Sequence, residues 1–367
     1  MKKSLLAVAV AAALPAFAQA QSSITLYGVA DVGIEYSNDD ANATAAGPGD
    51  SGVRLRDGTQ TPSRFGVRGV EDLGGGLRAV FNIENRFSID TGSTTGGANV
   101  DSLAGGTRFW NGIAIVGLEG GWGRLTFGRN YTPIFYAIQG NDYSSYTFYN
   151  NWAGFTGNPN VASPVPGGTV QGPIRQDNQI QYRSPTFGGL TLWAAYAPGE
   201  TLVGPAAAAA PSGDMFGVSL GWQLGGLYIA GGYHSFDVAA TAAGALEDVA
   251  TITAGYRFSG FGLSVGYSQL NFLAAAGSPS VNTIFGSAFV NLGRGQLILN
   301  VASVETDGFL AAGAVNDSTL QYGVSYLLPL SKRTSTYITY GQNDYSNGGL
   351  PAVDSATRVA VGIRHNF

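Results

Sequence analysis

Few residues in this sequence could do acid–base or covalent chemistry. It has 2 histidines, His234 and His365, and no cysteine. Hydrolysis on a serine needs a base within hydrogen-bond reach of the nucleophile, and neither histidine has a Ser or an acid set beside it by spacing. No paired His/Cys spacing suits a transition metal, and no Gly-rich loop leads into a helix to cradle a phosphate. What is regular is the cations. Arg64, Arg68, Arg78, Arg86, Arg183, Arg257, Arg358 and Arg364 all fall on one parity of apolar/polar alternating segments. Between such segments, 128–176 has no lasting two-residue or 3.6-residue apolar period. It is rich in Tyr, Asn, Gly and Pro, and its only acid is Asp142. So long a segment without periodicity is functional or disordered, and its aromatics argue against disorder.

The elements that would position these residues are strands. Ser22–Tyr36 alternates strictly: Ile24, Leu26, Gly28, Ala30, Val32, Ile34 and Tyr36 on one face, Thr25, Tyr27, Asp31 and Glu35 on the other. Ser63–Glu71 and Leu77–Ser88 repeat the plan around Asp72–Gly76. Five hairpins follow: 110–118/123–128, 178–184/190–196, 216–223/227–234, 250–258/263–269 and 282–292/296–303. Three more strands, Thr319–Leu328, Thr334–Gly341 and Ser355–Phe367, bring the total to sixteen. Turns on one side are short and Gly-rich. Connections on the other side are long: 37–62, 89–107, the segment after 128, 197–213, 236–247, 270–281 and 304–317. An even strand number with this asymmetry is the pattern of a closed transmembrane barrel, apolar outside and polar inside. The expected fold is therefore all-β, a sixteen-stranded antiparallel barrel, with 130–176 folded inward to narrow it. A soluble β-repeat or adhesin shares the alternation, and a barrel with a hydrolytic site is the other alternative.

The start of the chain reads as a cleaved signal peptide, 1–20. It has basic Lys2 and Lys3, an apolar Leu5–Leu14 and the small-residue site Ala18-Gln19-Ala20. Removing the two lysines leaves 17 basic against 24 acidic residues, a formal charge of −7, which makes nucleic acid an unsuitable partner. Without cysteine no disulfide holds this exported chain, so a closed hydrogen-bond network must. Aromatics near many strand ends fit interfacial girdles.

The stretches SSITLYGVADVGIEY, SRFGVRGVEDLGGGL, GRNYTP and QYRSPTFGGLTL, with the terminal Phe367, together resemble the general diffusion porins of Gram-negative outer membranes, most closely their beta-proteobacterial branch. The resemblance covers Gln21 to Phe367. It implies a trimeric outer-membrane barrel passing small hydrophilic solutes and ions, no cofactor, no enzymatic role, and contact with outer-membrane lipid and lipopolysaccharide. It implies that Phe367 is read by the outer-membrane assembly machinery. It also implies a pore constriction in which Arg64, Arg68, Arg129 and Arg183 face Asp142. Where many members carry Pro-Glu-Phe-Gly, this chain has Ser-Ser-Tyr-Thr-Phe-Tyr, so the acidic side of the constriction is depleted. Strict alternation with Leu125 and Phe127 would turn Arg129 to lipid, at roughly 2–4 kcal/mol near the midplane; a bulge at Gly128 would turn it inward. Small outward residues such as Gly28 and Ala30 fit close packing between protomers. With four arginines against one aspartate at the constriction, the channel is expected to prefer anions mildly, unless Asp31, Glu35, Glu71 and Glu84 neutralise the wall arginines.

Overall fold

The computed structural model describes residues 22–39, 51–94, 109–144, 174–199, 214–237, 246–273, 279–307, 318–346 and 355–367. The expected signal peptide and most of the expected constriction loop lie outside them. Seventeen strands form one sheet: β1 Ser23–Asp39, β2 Gly52–Asp57, β3 Arg64–Gly74, β4 Leu77–Arg86, β5 Ala114–Gly120, β6 Gly123–Tyr131, β7 Arg175–Arg183, β8 Leu190–Ala197, β9 Met215–Leu224, β10 Leu227–Phe236, β11 Leu246–Arg257, β12 Phe261–Phe272, β13 Ser280–Leu292, β14 Gly295–Asp307, β15 Ser318–Pro329, β16 Thr334–Ser346 and β17 Ser355–Asn366. Apart from β2 and β3, neighbours in sequence pair antiparallel, and β1 pairs with β17, which closes the sheet. β2 and β3 both lie along β1, on its two halves, so seventeen strands make sixteen staves.

Closure is specified by two residues. Gly28 N–H donates to Phe367 O at 3.0 Å, and Phe367 N–H returns to Gly28 O at 3.1 Å. The Phe367 ring lies over Gly28, where any Cβ would overlap it. The space over Gly28 is thus filled by the chain's own terminus and is not open for a neighbouring protomer, contrary to the sequence expectation for that residue.

The wall is inside out relative to a soluble protein. Ile24 is 76% exposed while Asp31 and Glu35 are 0%. In every strand the alternation puts branched apolar side chains outward, where hydrocarbon would solvate them. Exposed Trp122, Phe187, Tyr256 and Phe258 ring the short-turn end, and Tyr36, Tyr196, Phe216 and Tyr233 the other. Among the described residues no helix is long and apolar enough to cross a membrane; the strands do so.

Three local differences from the sequence reading have physical causes. The connection 37–62 is not all loop: Gly52–Asp57 pairs with Val32–Ser37 and extends the wall. The fifth strand starts at Ala114 and not at 110, because Phe109 and Trp110 leave the ladder to pack against Phe65 (centroids 6.3 Å each). Finally, the segment after β6 opens with a helix, α1 Pro133–Gln139. Seven residues are too few to show a lasting helical period, and too few to be helical alone.

Candidate functional site

The barrel wall holds α1 in place. Helix N-termini leave backbone donors unpaired, and the N-cap Thr132 makes no side-chain cap bond here. Instead Ile134 N–H donates to Nε2 of His234 on β10 at 3.1 Å. That imidazole is therefore unprotonated at Nε2 and carries its proton on Nδ1. Gly217 on β9 makes room for the ring, since a Cβ there would overlap it. Further anchors follow along the wall. Ser219 Oγ donates to Pro133 O at 2.7 Å, and Thr253 Oγ1 to Ala137 O at 2.9 Å. Asn141 Nδ2 donates to Thr253 Oγ1 at 2.9 Å, and Ser264 Oγ to Asn141 O at 2.7 Å. Burial of Ile134 and Ile138, both 0% exposed, adds about 1.5–3 kcal/mol each. Each hydrogen bond adds about 0.5–1.5 kcal/mol. Together these are of the same order as the backbone ordering of so short a helix, roughly 1–2 kcal/mol per residue, and so offset it.

The side chains under α1 are apolar, which the sequence reading missed. Val249, Leu270, Phe285, Ala302 and Val304 form one buried cluster with Ile134 and Ile138. They share the inner parity with Thr251, Thr253, Ser268 and Thr283, all nearly buried. α1 thus packs against the β9–β14 side of the lumen and itself touches little of the remaining wall.

Arginines line that remaining wall, in a pattern of sharing. Glu84 on β4 lies between Arg64 (3.7 Å) and Arg86 (3.6 Å). Glu35 on β1 takes Arg54 (2.8 Å) and Arg56 (2.9 Å). Glu119 on β5 takes Arg78 in a short contact and Arg124 at 3.9 Å. Each carboxylate thus faces two guanidiniums, and each triad keeps one net positive charge. Arg68 lies over the Tyr27 ring at 5.2 Å and Arg183 over Trp193 at 5.8 Å. Arg86 and Arg175 both donate to the Tyr131 hydroxyl at 2.8 Å. Arg124 and Arg183 stand opposite each other in register. They line a cavity of about 350 Å³ with Asn130, Gln181, Trp193 and Tyr136. Tyr136 stacks on Trp193 at 5.5 Å, and burial pushes its phenol up to about 12, so it stays neutral in the passage.

The expected site residues are partly brought together. Arg64 and Arg68 share the inner face of β3. A bulge lies between Gly128 and Asn130, with Gly128 at φ +119°. It puts Arg129 against Asp177 (2.7 Å) and the carbonyl of Asn111 (3.0 Å) in a buried position. Asp142 is buried beyond α1, where its carboxylate accepts from Ser144 N–H (2.8 Å) and Ser144 Oγ (2.5 Å). Its neighbour Tyr143 donates to Leu263 O on β12 at 3.2 Å. In the order of staves, β12 lies about half the circumference from β3. Sequence spacing did not single out Tyr131, Arg124 or Arg175. Parity with Thr126 and Gln181 was the available signal for Arg124, and none existed for the other two beside the bulge.

Removing the His234 acceptor leaves a buried Ile134 N–H unpaired, at a cost of about 1–3 kcal/mol. His234→Ala is expected to give noisier, larger single-channel currents and faster proteolysis within 130–144. His234→Gln, which offers an acceptor of similar reach, should restore both.

Comparison with known proteins gives consistent matches. The sequence profile of the family described as Gram-negative porin matches residues 7–348. The chain is 31% identical to outer membrane porin protein 32 of Delftia acidovorans, and 29% identical to an outer membrane porin protein of Bordetella pertussis, each over 100% of both chains. Among solved structures it resembles an anion-selective porin from Comamonas acidovorans, with 29% identity and a TM-score of 0.77 over 95% of this chain and 100% of that one.

Proposed function

Because the chain belongs to the Gram-negative porin family and is an outer-membrane channel for passive diffusion, we propose that its passage is a cationic filter preferring small anions. The carrying observation is the sharing of Glu35, Glu84 and Glu119, each by two arginines. Of the wall acids that could have neutralised the arginines, Glu35 and Glu84 are each outnumbered two to one, as is Glu119. The anion-selective Comamonas acidovorans relative supports the same reading. Arg64, Arg68 and Arg183 are the assigned filter cations. Arg129 contributes less, being paired with Asp177, and Asp142 sets the far side. Acids in the outer connections act weakly on the filter, because exposed charges more than about 8–10 Å away are screened at physiological salt.

The solutes are small and hydrophilic, and no chemical step is assigned: His234, the one buried histidine, holds α1. Residues 1–20 are assigned as the cleaved leader and 130–176 as the main constriction loop. Phe367 is assigned as the terminal assembly signal, and a homotrimer in lipopolysaccharide-bearing membrane as the working state. In planar bilayers the protein should give discrete ohmic conductance steps, and in a salt gradient a zero-current potential of the anion-preferring sign. A cation-preferring sign in the wild type refutes the filter assignment.

A further inference from the structure

Six residues, Gly58–Ser63, join β2 to β3, but only Ala30 and Asp31 of β1 stand opposite them. The register runs Val32↔Asp57 on one side and Val29↔Arg64 on the other. Four residues are therefore surplus to the wall and must leave it. They leave it inward. Thr59 and Ser63 are 0% exposed and Gln60 2%, and they lie over Asp31, whose parity is that of the lumen. Gly58 N–H donates to Asp31 O at 2.9 Å. Gln60 and Thr61 N–H donate to the Asp31 carboxylate at 3.4 and 3.2 Å, and Ser63 Oγ exchanges bonds with the Asp31 backbone at 3.0 and 3.2 Å.

A second strand completes this latch. Tyr337 on β16 donates its hydroxyl to Asp31 Oδ1 at 2.6 Å and makes a short contact with Thr59 Oγ1. It reaches β1 by crossing β17, and two glycines clear the way. Gly362 stands opposite both Tyr337 and Gly33 in register. A Cβ at Gly362 would overlap the Tyr337 ring, and one at Gly33 would lie 2.5 Å from Thr59 Oγ1. A buried carboxylate costs several kcal/mol unless it is hydrogen-bonded; a straight stave would need neither this carboxylate nor its three donors.

We propose that Gly58–Ser63 is a second inward constriction element, separate from 130–176 and latched by Asp31 and Tyr337, that fixes Arg64 in the passage. Arg64 Nη1 donates to Thr61 Oγ1 and Pro62 O, both at 3.3 Å. These bonds tie the guanidinium to the inward segment on one side while Glu84 holds it on the other. Asp31 and Tyr337 are thus positioning residues for ion selectivity, acting through Arg64. The selectivity part rests on Arg64 being a filter cation, as proposed above; the narrowing part does not.

The test is bilayer recording of the full-length folded protein, with Tyr337→Phe as the principal variant, since it changes no charge and keeps the ring. It is expected to raise single-channel conductance and to lower the anion-over-cation permeability ratio about twofold, a modest loss for a displaced fixed charge. Added to Arg64→Gln, it should still raise conductance but leave the ratio unchanged. Asp31→Asn offers a sign test. Deleting a fixed negative charge alone would raise anion preference, whereas loss of Arg64 positioning lowers it. Wild-type conductance and ratio in Tyr337→Phe overturn the proposal, as does a raised ratio in Asp31→Asn. If Asp31→Asn does not fold, Tyr337→Phe decides alone. If the wild type proves cation-preferring, the filter reading fails, and the conductance of Tyr337→Phe still decides whether the segment narrows the lumen.

Discussion

Replacing Arg64 and Arg68 together by Gln should move the zero-current potential clearly toward cations, the largest selectivity change expected of any two wall substitutions. Arg68 lies over Tyr27, so its charge is set against a ring and not a carboxylate. Arg64 is one of two cations on Glu84. Losing both turns a wall segment of three guanidiniums and one carboxylate into a single Arg86–Glu84 pair. In a narrow passage walled by low-dielectric material, fixed charge acts at contact range and is poorly screened. The permeability ratio should therefore change several-fold, while conductance rises modestly as two long side chains are shortened. Reversal potentials in a salt gradient measure the first and current steps the second. An unchanged ratio would move the filter to the Arg124–Arg183 pair.

Gly28→Val should abolish the folded barrel. The branched side chain would enter the space of the Phe367 ring, and on its other side the Arg64 carbonyl lies 2.7 Å from the Cβ position. Displacing the terminus breaks both Gly28–Phe367 backbone bonds and opens the seam between β1 and β17. In hydrocarbon each unpaired backbone group costs several kcal/mol, so a local steric conflict becomes loss of closure. Heat-modifiable electrophoretic migration reads the result: the compact band should be lost, whereas Gly75→Ala, in an open turn where nothing lies within 4 Å of the Cβ position, should retain most of it. Gly75 has φ +60°, so that control carries a modest turn penalty and no closure defect.

Alternation is a local property of the chain, and it determined most of this architecture. The period-two pattern of Ser22–Tyr36 and its repeats implied the strands, their inner and outer faces, the short-turn and long-loop ends and the even number of staves. A membrane barrel leaves little choice, since every backbone group must pair and the outer face must be apolar. The arginines followed the same parity, so the cationic wall was also legible.

What only the tertiary structure decided is whatever departs from parity or depends on residues far apart in sequence. The sharing of Glu84 and Glu119 between pairs of arginines is a matter of register across neighbouring strands. The bulge after Gly128 breaks the alternation where Arg129 had to be placed, and Asp177, just past the expected loop, takes it as a partner. Val249, Leu270 and Phe285 carry inner parity but are apolar. They make sense only once α1, more than 100 residues away, covers them. In sequence 58–62 appeared as part of a long connection and Ser63 as the start of a strand, because the segment's carboxylate partner sits on β1 and its tyrosine on β16. Periodicity reports which side of a wall a residue faces; what it meets on that side is set by closure of the sheet, which brings the first, second and last staves together.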